Sequence, residues 1–220
     1  MNGSGYRAVG SDKEAILVNS IRFWMGYQPT SAIRLSLSPE YFYQNRAIQN
    51  VGYETFNNDP RYITGRVRQE TLSLSLRLNY SLTPNISLEY WGQPFISKGQ
   101  YSEFKYITDP LSKIYTDRFH LYDNTEMLVE EGSDIFLIDE DRDGTTDYSF
   151  NNPDFNFLEF RSNLVFRWEY KPNSEFFLVW TQGTTNSGDP SKGVFNSLKD
   201  DLFSQDTNNI FLLKLTYRFY

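Results

Sequence analysis

Alternation of apolar and polar side chains with a period of two, recurring along the chain and running into its last residues, is the feature that most restricts what this sequence can fold into. Ile21, Phe23, Met25 and Tyr27 share one parity against Arg22, Trp24 and Gly26. Ile33, Leu35, Leu37, Pro39, Tyr41 and Tyr43 oppose Arg34, Ser36, Ser38 and Glu40. Leu72 to Tyr80 and Ile86 to Tyr90 repeat the pattern, and Leu158, Phe160, Leu164, Phe166, Trp168 and Tyr170 give its clearest instance. The chain closes with Phe211, Leu213, Leu215, Tyr217 and Phe219 against Lys214, Thr216 and Arg218. Successive side chains of a strand point to opposite faces, so each run reads as a two-faced β-strand. Phe176 to Gln182 is too uniformly apolar for its faces to be assigned.

Short Pro-containing turns alternate with long polar segments. Gln28-Pro29-Thr30-Ser31, Thr83-Pro84-Asn85 and Lys171-Pro172-Asn173-Ser174 join paired strands. Stretches rich in Asn, Asp, Gly and Ser at about 44–68, 97–154 and 183–208 separate the pairs. The expected organisation is an amino-terminal loop segment over 1–18 and strands with long loops over 19–220. Short connections on one side and long ones on the other are the habit of outer-membrane barrels, whose short turns are periplasmic.

The expected fold is an all-β, antiparallel transmembrane β-barrel built as a meander of hairpins. Tyr27, Tyr80, Trp168, Tyr170, Tyr217 and Phe219 fall at the turn-side ends of their strands, as membrane-interface aromatics do. No apolar run approaches the roughly 20 residues of a membrane helix, and mean hydropathy is −0.56, which alternating strands produce by averaging. The alternative reading is a soluble β-sandwich or lipocalin-like barrel with its apolar face inward. The barrel reading places the chain in the outer membrane of a Gram-negative bacterium, carboxy terminus periplasmic, with lipid and the barrel-insertion machinery as partners. About seven strands are visible where single-chain bacterial barrels use even numbers. The expectation is the carboxy-terminal part of a larger barrel, or an eighth strand near Ala15 to Val18.

Asn152-Pro153-Asp154-Phe155-Asn156-Phe157, Phe160 to Val165 and Arg167-Trp168-Glu169-Tyr170 resemble the carboxy-terminal region of the domain of unknown function 5916 family. Leu178 to Gln182 and Glu89 to Phe95 agree, and the resemblance covers most of the chain from about Ala32. It implies an outer-membrane barrel that in longer members follows a carbohydrate-binding domain of the family-9 type, sometimes labelled a hydrolase on that account. No residue of this chain matches that domain, so no sugar-binding or catalytic residue carries over.

Two constellations stand out. Asp139, Asp141, Asp143, Thr145 and Asp147, with Gly144 in the turn, follow the first half of an EF-hand loop, whose oxygen ligands wrap calcium. Phe150 stands where the bidentate Glu of that motif belongs, so the alternatives are a weak calcium-stapled extracellular hairpin and a plain acidic turn. Arg22, Arg34, Glu40, Arg77, Glu89, Glu159, Arg161, Arg167, Glu169 and Arg218 share the polar parity, either as an ion-paired ladder filling a lumen or as the lining of a channel.

The remaining signals are mostly exclusions. Tyr101, Phe104, Tyr106, Tyr115 and Tyr122 are loop aromatics offered to glycans. Net charge −7 disfavours nucleic acid, and the absence of cysteine removes disulfides and Cys-ligated metals. His120, the only histidine, reads as a solvated loop residue, and no catalytic motif accompanies it. The expected role is a channel or surface-display module tied to glycan binding or uptake. The alternatives are part of a glycan-processing hydrolase and a soluble sandwich binding module.

Overall fold

The computed structural model describes residues 2–9, 16–130, 132–202, 204 and 206–219. Its strands are β1 (Asn2–Val9), β2 (Ile16–Tyr27), β3 (Ile33–Phe56), β4 (Asp59–Thr83), β5 (Ile86–Ile107), β6 (Phe119–Leu121), β7 (Met127–Val129), β8 (Ile135–Ile138), β9 (Tyr148–Asn151), β10 (Phe155–Lys171), β11 (Ser174–Ser187) and β12 (Asn208–Leu215). A short helix, α1 (Val194–Ser197), and a wider turn at Leu198–Leu202 precede β12. The main sheet runs β1-β2-β3-β4-β5-β10-β11-β12, every pair antiparallel, with β6 added beside β5. A separate sheet holds β7-β8-β9.

The all-β, antiparallel meander is therefore as expected, but among the described residues the sheet does not close into the expected barrel. Among the described residues β1 and β12 each have a single neighbour. The main path has eight strands rather than seven. The extra one is β1, expected as loop because Gly3 and Gly5 break the apolar alternation; Ala15 and Tyr220 lie outside the described residues.

Most of the segment 44–68, expected as a loop, is a continuation of β3 and β4 to a two-residue turn at Asn57 and Asn58. Both have positive φ (50° and 64°), the backbone of a type I′ hairpin. Register shifts at Arg46/Gln49 and Asn50/Gly52 insert residues into the ladder, which scrambles the period of two that a reader of the sequence relies on. In β5 a shift opposite Thr64/Arg66, with Glu103 at φ 50°, hides the extension to Ile107 in the same way. Side chains close the short turns: Ala32 N–H donates to Thr30 Oγ1 (3.3 Å), Asn85 N–H to Thr83 Oγ1 (3.2 Å) and Asn173 N–H to Glu169 Oε1 (3.1 Å).

Register gives the sheet a uniform stagger. Tyr27, Leu35, Leu78, Tyr90, Leu164, Trp180 and Phe211 form one cross-strand row from β2 to β12. Relative to that row, Tyr80 on β4 lies two residues toward the turns, Trp168 on β10 four, and Tyr217, two residues past the end of β12, six, at places two, four and six from β2. The four aromatics thus fall by one residue per strand. With about 3.3 Å per residue and about 4.8 Å between strands, their line crosses the sheet at about 35°.

From that line an apolar band rises toward the loop side on the same face. It continues through Met25, Phe23 and Ile21 until Asn19, through Leu76, Leu74 and Leu72 until Glu70, and through Leu215, Leu213 and Phe211 until Asn209. On β10 only Ser162 interrupts it before Asn156. From the aromatic line the band is eight residues deep on β2 and β12, ten on β4 and twelve on β10, because Asn19, Glu70 and Asn156 lie on one cross-strand row; across strands inclined at 35° that is roughly 22–32 Å. On β11 and β12 the polar face also turns apolar, at Phe177, Val179, Ile210 and Leu212. Two small cores lie beyond the band at the loop side: Ile63, Phe104, Tyr122, Ile138, Tyr148 and Phe150 bind the β7–β9 sheet, and Ile96, Leu158, Val194 and Leu202 bind the β11–β12 connection.

Candidate functional site

The polar face is one surface. Pairing through the sheet puts Arg22, Arg34, Glu40, Arg77, Glu89, Glu159, Arg161, Arg167 and Glu169 on the same side, and Arg218 continues the polar parity past the end of β12. They do not form a continuous ladder. Arg22 clasps Glu40 across β2–β3 with Nε and Nη2 (3.0 and 2.6 Å). Arg161 donates to Glu159 on its own strand (2.9 Å). Arg167 donates through Nε to Glu175 (2.9 Å) and lies 3.6 Å from Glu169. Arg34 reaches the Gln28 side chain at 3.5 Å, and Arg218 donates its backbone N–H to Ser174 Oγ (3.1 Å). Arg77 and Glu89 instead line a shallow cavity of about 220 Å³ with Asn79, Trp91, Asn163 and Val165. Glu175, the strongest partner of Arg167, is absent from the sequence-level set because it opens the strand whose faces were unassignable.

The acidic hairpin lies at the loop side, in the turn between β8 and β9. One carboxylate oxygen each of Asp139, Asp141 and Asp147 fall within 4.8 Å of one another. Asp143 is drawn away from that group, accepting from Thr145 N–H (2.8 Å) and Thr145 Oγ1 (2.5 Å). The loop also satisfies its own carboxylates: Gly144 N–H donates to Asp139 (2.9 Å) and Glu140 N–H to Asp147 (2.7 Å). Gly144 takes φ 91°, which a side chain would strain. Desolvation and the charges of Asp143, Asp147 and Asp139 push the Asp141 carboxyl above its ordinary value, whereas the Thr145 bonds pull Asp143 below its own.

A latch not visible in the sequence holds this hairpin to the main sheet. Arg61 on β4 donates to Glu140 through Nε (2.9 Å) and Nη2 (2.8 Å), both side chains largely buried. Tyr148 OH donates to the same carboxylate (2.6 Å) and lies 3.0 Å from Tyr122 OH. Burial raises the Glu140 carboxyl, but Arg61 and Tyr148 outweigh it and leave the group below its ordinary value. The Arg61 guanidinium is raised by the same bond and stacks over Tyr106 at 4.8 Å. His120, expected as solvated, sits in β6 with Nε2 2.9 Å from buried Glu126, which also accepts from Arg142 (3.0 Å).

The aromatics offered to glycans are mostly spent on packing. Phe104 and Tyr122 are buried, Tyr101 and Tyr106 pack against their cluster, and Tyr115 meets Phe119 edge to face at 5.2 Å. Their apolar neighbours lie far away in sequence, so nothing local marks them as core. The exposed pair is Tyr53 and Tyr62 near the β3–β4 tip, 5.4 Å apart.

A search of curated proteins matches nothing, and no solved structure matches either. A family model described as a domain of unknown function, DUF5916, matches residues 9–219. With nearly the whole sequence aligned to that model, the chain belongs to the domain of unknown function 5916 family.

Proposed function

We propose that this chain forms part of the wall of an outer-membrane channel, its apolar face against lipid, its Arg- and Glu-bearing face against water, and its loops displayed outside the cell. One observation carries the reading: Tyr27, Tyr80, Trp168 and Tyr217, the turn-side limit of the apolar band on four strands, come to one level only when the strands tilt by about 35°, within the range of membrane barrels. The depth of the band, roughly 22–32 Å, spans the roughly 25 Å apolar band of such barrels. Tyr27, Tyr80, Trp168 and Tyr217 then lie at one height, as an interfacial girdle on the turn side, with Tyr170 and Phe219 just below. A soluble sandwich has no need to hold its apolar rows level along a tilted line. The short turns and the carboxy terminus are periplasmic in this reading, and the terminal strand is what the insertion machinery engages.

The role is passage or display of solutes, with glycans the class implied by family resemblance and Tyr53 with Tyr62 the exposed platform for them. The loop of Asp139, Asp141 and Asp147 is a weak calcium staple for the displayed hairpin, supported by the convergence of the three carboxylates. Terbium luminescence on the intact protein tests the staple: displacement by millimolar calcium and loss in Asp141→Asn are expected, and an unchanged signal in that variant removes it. The wall reading is tested by expressing the chain and fractionating membranes. Recovery in the outer membrane, with solubilisation only by detergent, is expected; a soluble monomer overturns it. Turnover of glycan polymers by the purified protein would favour the hydrolase alternative instead.

A further inference from the structure

We propose that the polar face carries a binding row for an acidic saccharide, a chain of pyranose rings bearing carboxylates; this rests on the reading of that face as the water side of a membrane wall. Gly26, Ser36, Arg77, Trp91, Asn163 and Thr181 oppose one another in turn across six neighbouring strands, β2 to β11. Two indoles belong to this row. A Cβ at Gly26 would come within 2.5 Å of Trp24, so the benzene end of that indole fills the space over the glycine, and Trp24 is still 47% exposed. Trp91 is fixed by its Nε1, which donates to Ser75 Oγ (3.1 Å).

Each indole has an arginine beside it that the protein leaves without a carboxylate. Trp24 lines a cavity of about 270 Å³ with Gln28, Arg34 and Ser36, and Trp91 lines the one of about 220 Å³ that holds Arg77, Glu89 and Asn163. On the strands of this face Arg22, Arg161 and Arg167 are each bonded to a glutamate. Arg34 reaches only Gln28, at 3.5 Å, and among the described residues Arg77 has no ion pair. Two guanidiniums therefore stand against the one unpaired carboxylate of Glu89 at that level, and the surplus charge calls for an anionic ligand.

Spacing narrows the class further. Gly26, under the Trp24 indole, and Trp91 are three strands apart, about 14 Å along the sheet, with Ser36 and Arg77 between them. An indole is a large, rigid apolar surface, and a guanidinium grips a carboxylate with two parallel hydrogen bonds. A ligand that meets both indoles at once needs apolar faces repeating along its length, hydroxyls between them and carboxylates for the arginines. Chains of uronate rings have that chemistry, whereas a single aromatic acid reaches one indole only. Glu89 accepts from the ring hydroxyls, and Asn163, whose Oδ1 is taken by Thr181 Oγ1 (3.0 Å), donates to them through Nδ2.

The full-length protein in a zwitterionic detergent is titrated calorimetrically with tetragalacturonate and with maltotetraose, a neutral chain of the same linkage. Saturable binding of the uronate, about tenfold or more tighter than that of the neutral chain, is expected. Trp24→Ala and Trp91→Ala should each raise Kd about tenfold and Arg77→Ala about tenfold to a hundredfold. Gly26→Ala should weaken binding in the same direction by displacing the Trp24 indole, and Lys199→Ala, which removes an exposed charge at the loop side, should leave it unchanged. Membrane-inserted protein that does not bind the uronate, that binds the neutral chain as tightly, or whose affinity is untouched by Trp24→Ala and Arg77→Ala overturns the proposal and leaves the wall reading intact. The unmodified protein decides where a variant does not insert: tetragalacturonate shields its tryptophans from acrylamide quenching, and unchanged quenching overturns the row. Recovery of the unmodified chain in the soluble fraction defeats the wall reading, and the binding row with it.

Discussion

At the scale of single residues the molecule is held by bonds that reach across sequence. Arg61 and Glu140 are 79 residues apart, and their paired hydrogen bonds fasten the β8–β9 hairpin to β4. Arg61→Ala leaves the Glu140 carboxylate partly buried with neutral tyrosine hydroxyls, Tyr148 and Tyr106, in place of a guanidinium. The expected cost is about 1–3 kcal/mol, localised to β7–β9, and hydrogen exchange should show faster exchange there while β3–β4 amides stay protected. The same carboxylate sets a pH response. Because its native value lies below the ordinary one, the unfolded chain holds that proton more tightly than the native state does. The stabilisation is complete above the ordinary Glu range and is lost as pH falls through the depressed native value. Protection of the β8–β9 amides is expected to drop on acidification below about pH 4, and Glu140→Gln is expected to lower protection at neutral pH and flatten its dependence on acid.

Elements differ in how much they reveal before folding. The face of β10 is written in Leu158 to Tyr170, since each side chain faces the same layer throughout. β11 is not, because Phe177 and Val179 make its second face apolar too. The far halves of β3, β4 and β5 are hidden by inserted residues that reverse parity, and β1 by glycines that carry no hydrophobic signal. The acidic turn was visible as a motif, but Arg61, which anchors it, has no sequence neighbour that marks it. Substitutions on the two faces should therefore behave differently at equal depth. Leu76→Arg, at mid-band on the apolar face, is expected to cost about 2–4 kcal/mol in urea unfolding from lipid vesicles. Ser38→Arg, at the same level on the polar face, is expected to change stability by less than about 1 kcal/mol. Equal effects of the two would mean that the faces are not lipid and water.

At the scale of the whole molecule, 14064 Å² of surface remains accessible, against about 10,500 Å² for a compact protein of this mass. The excess is that of a single layer with small cores at its loop side, so strand pairing and the surrounding medium carry what a central core would otherwise supply. The connection that joins β5 to β10 also governs the order of assembly. Every other neighbouring pair in the main sheet is linked by a shorter connection, whereas β5 and β10 are separated by residues 108–154. Closing so long a loop costs about 2 kcal/mol more in chain entropy than closing a four-residue turn. The β2–β5 meander and the β10–β11 hairpin should accordingly form as two early units, with the small β7–β9 sheet drawing their ends together. Pulse-labelled hydrogen exchange during refolding into detergent should find the amides pairing Leu78 with Leu35 protected before those pairing Leu164 with Tyr90. The β7–β9 sheet that Arg61 anchors thus has a second employment, as the splint along which the two halves of the main sheet are brought into register.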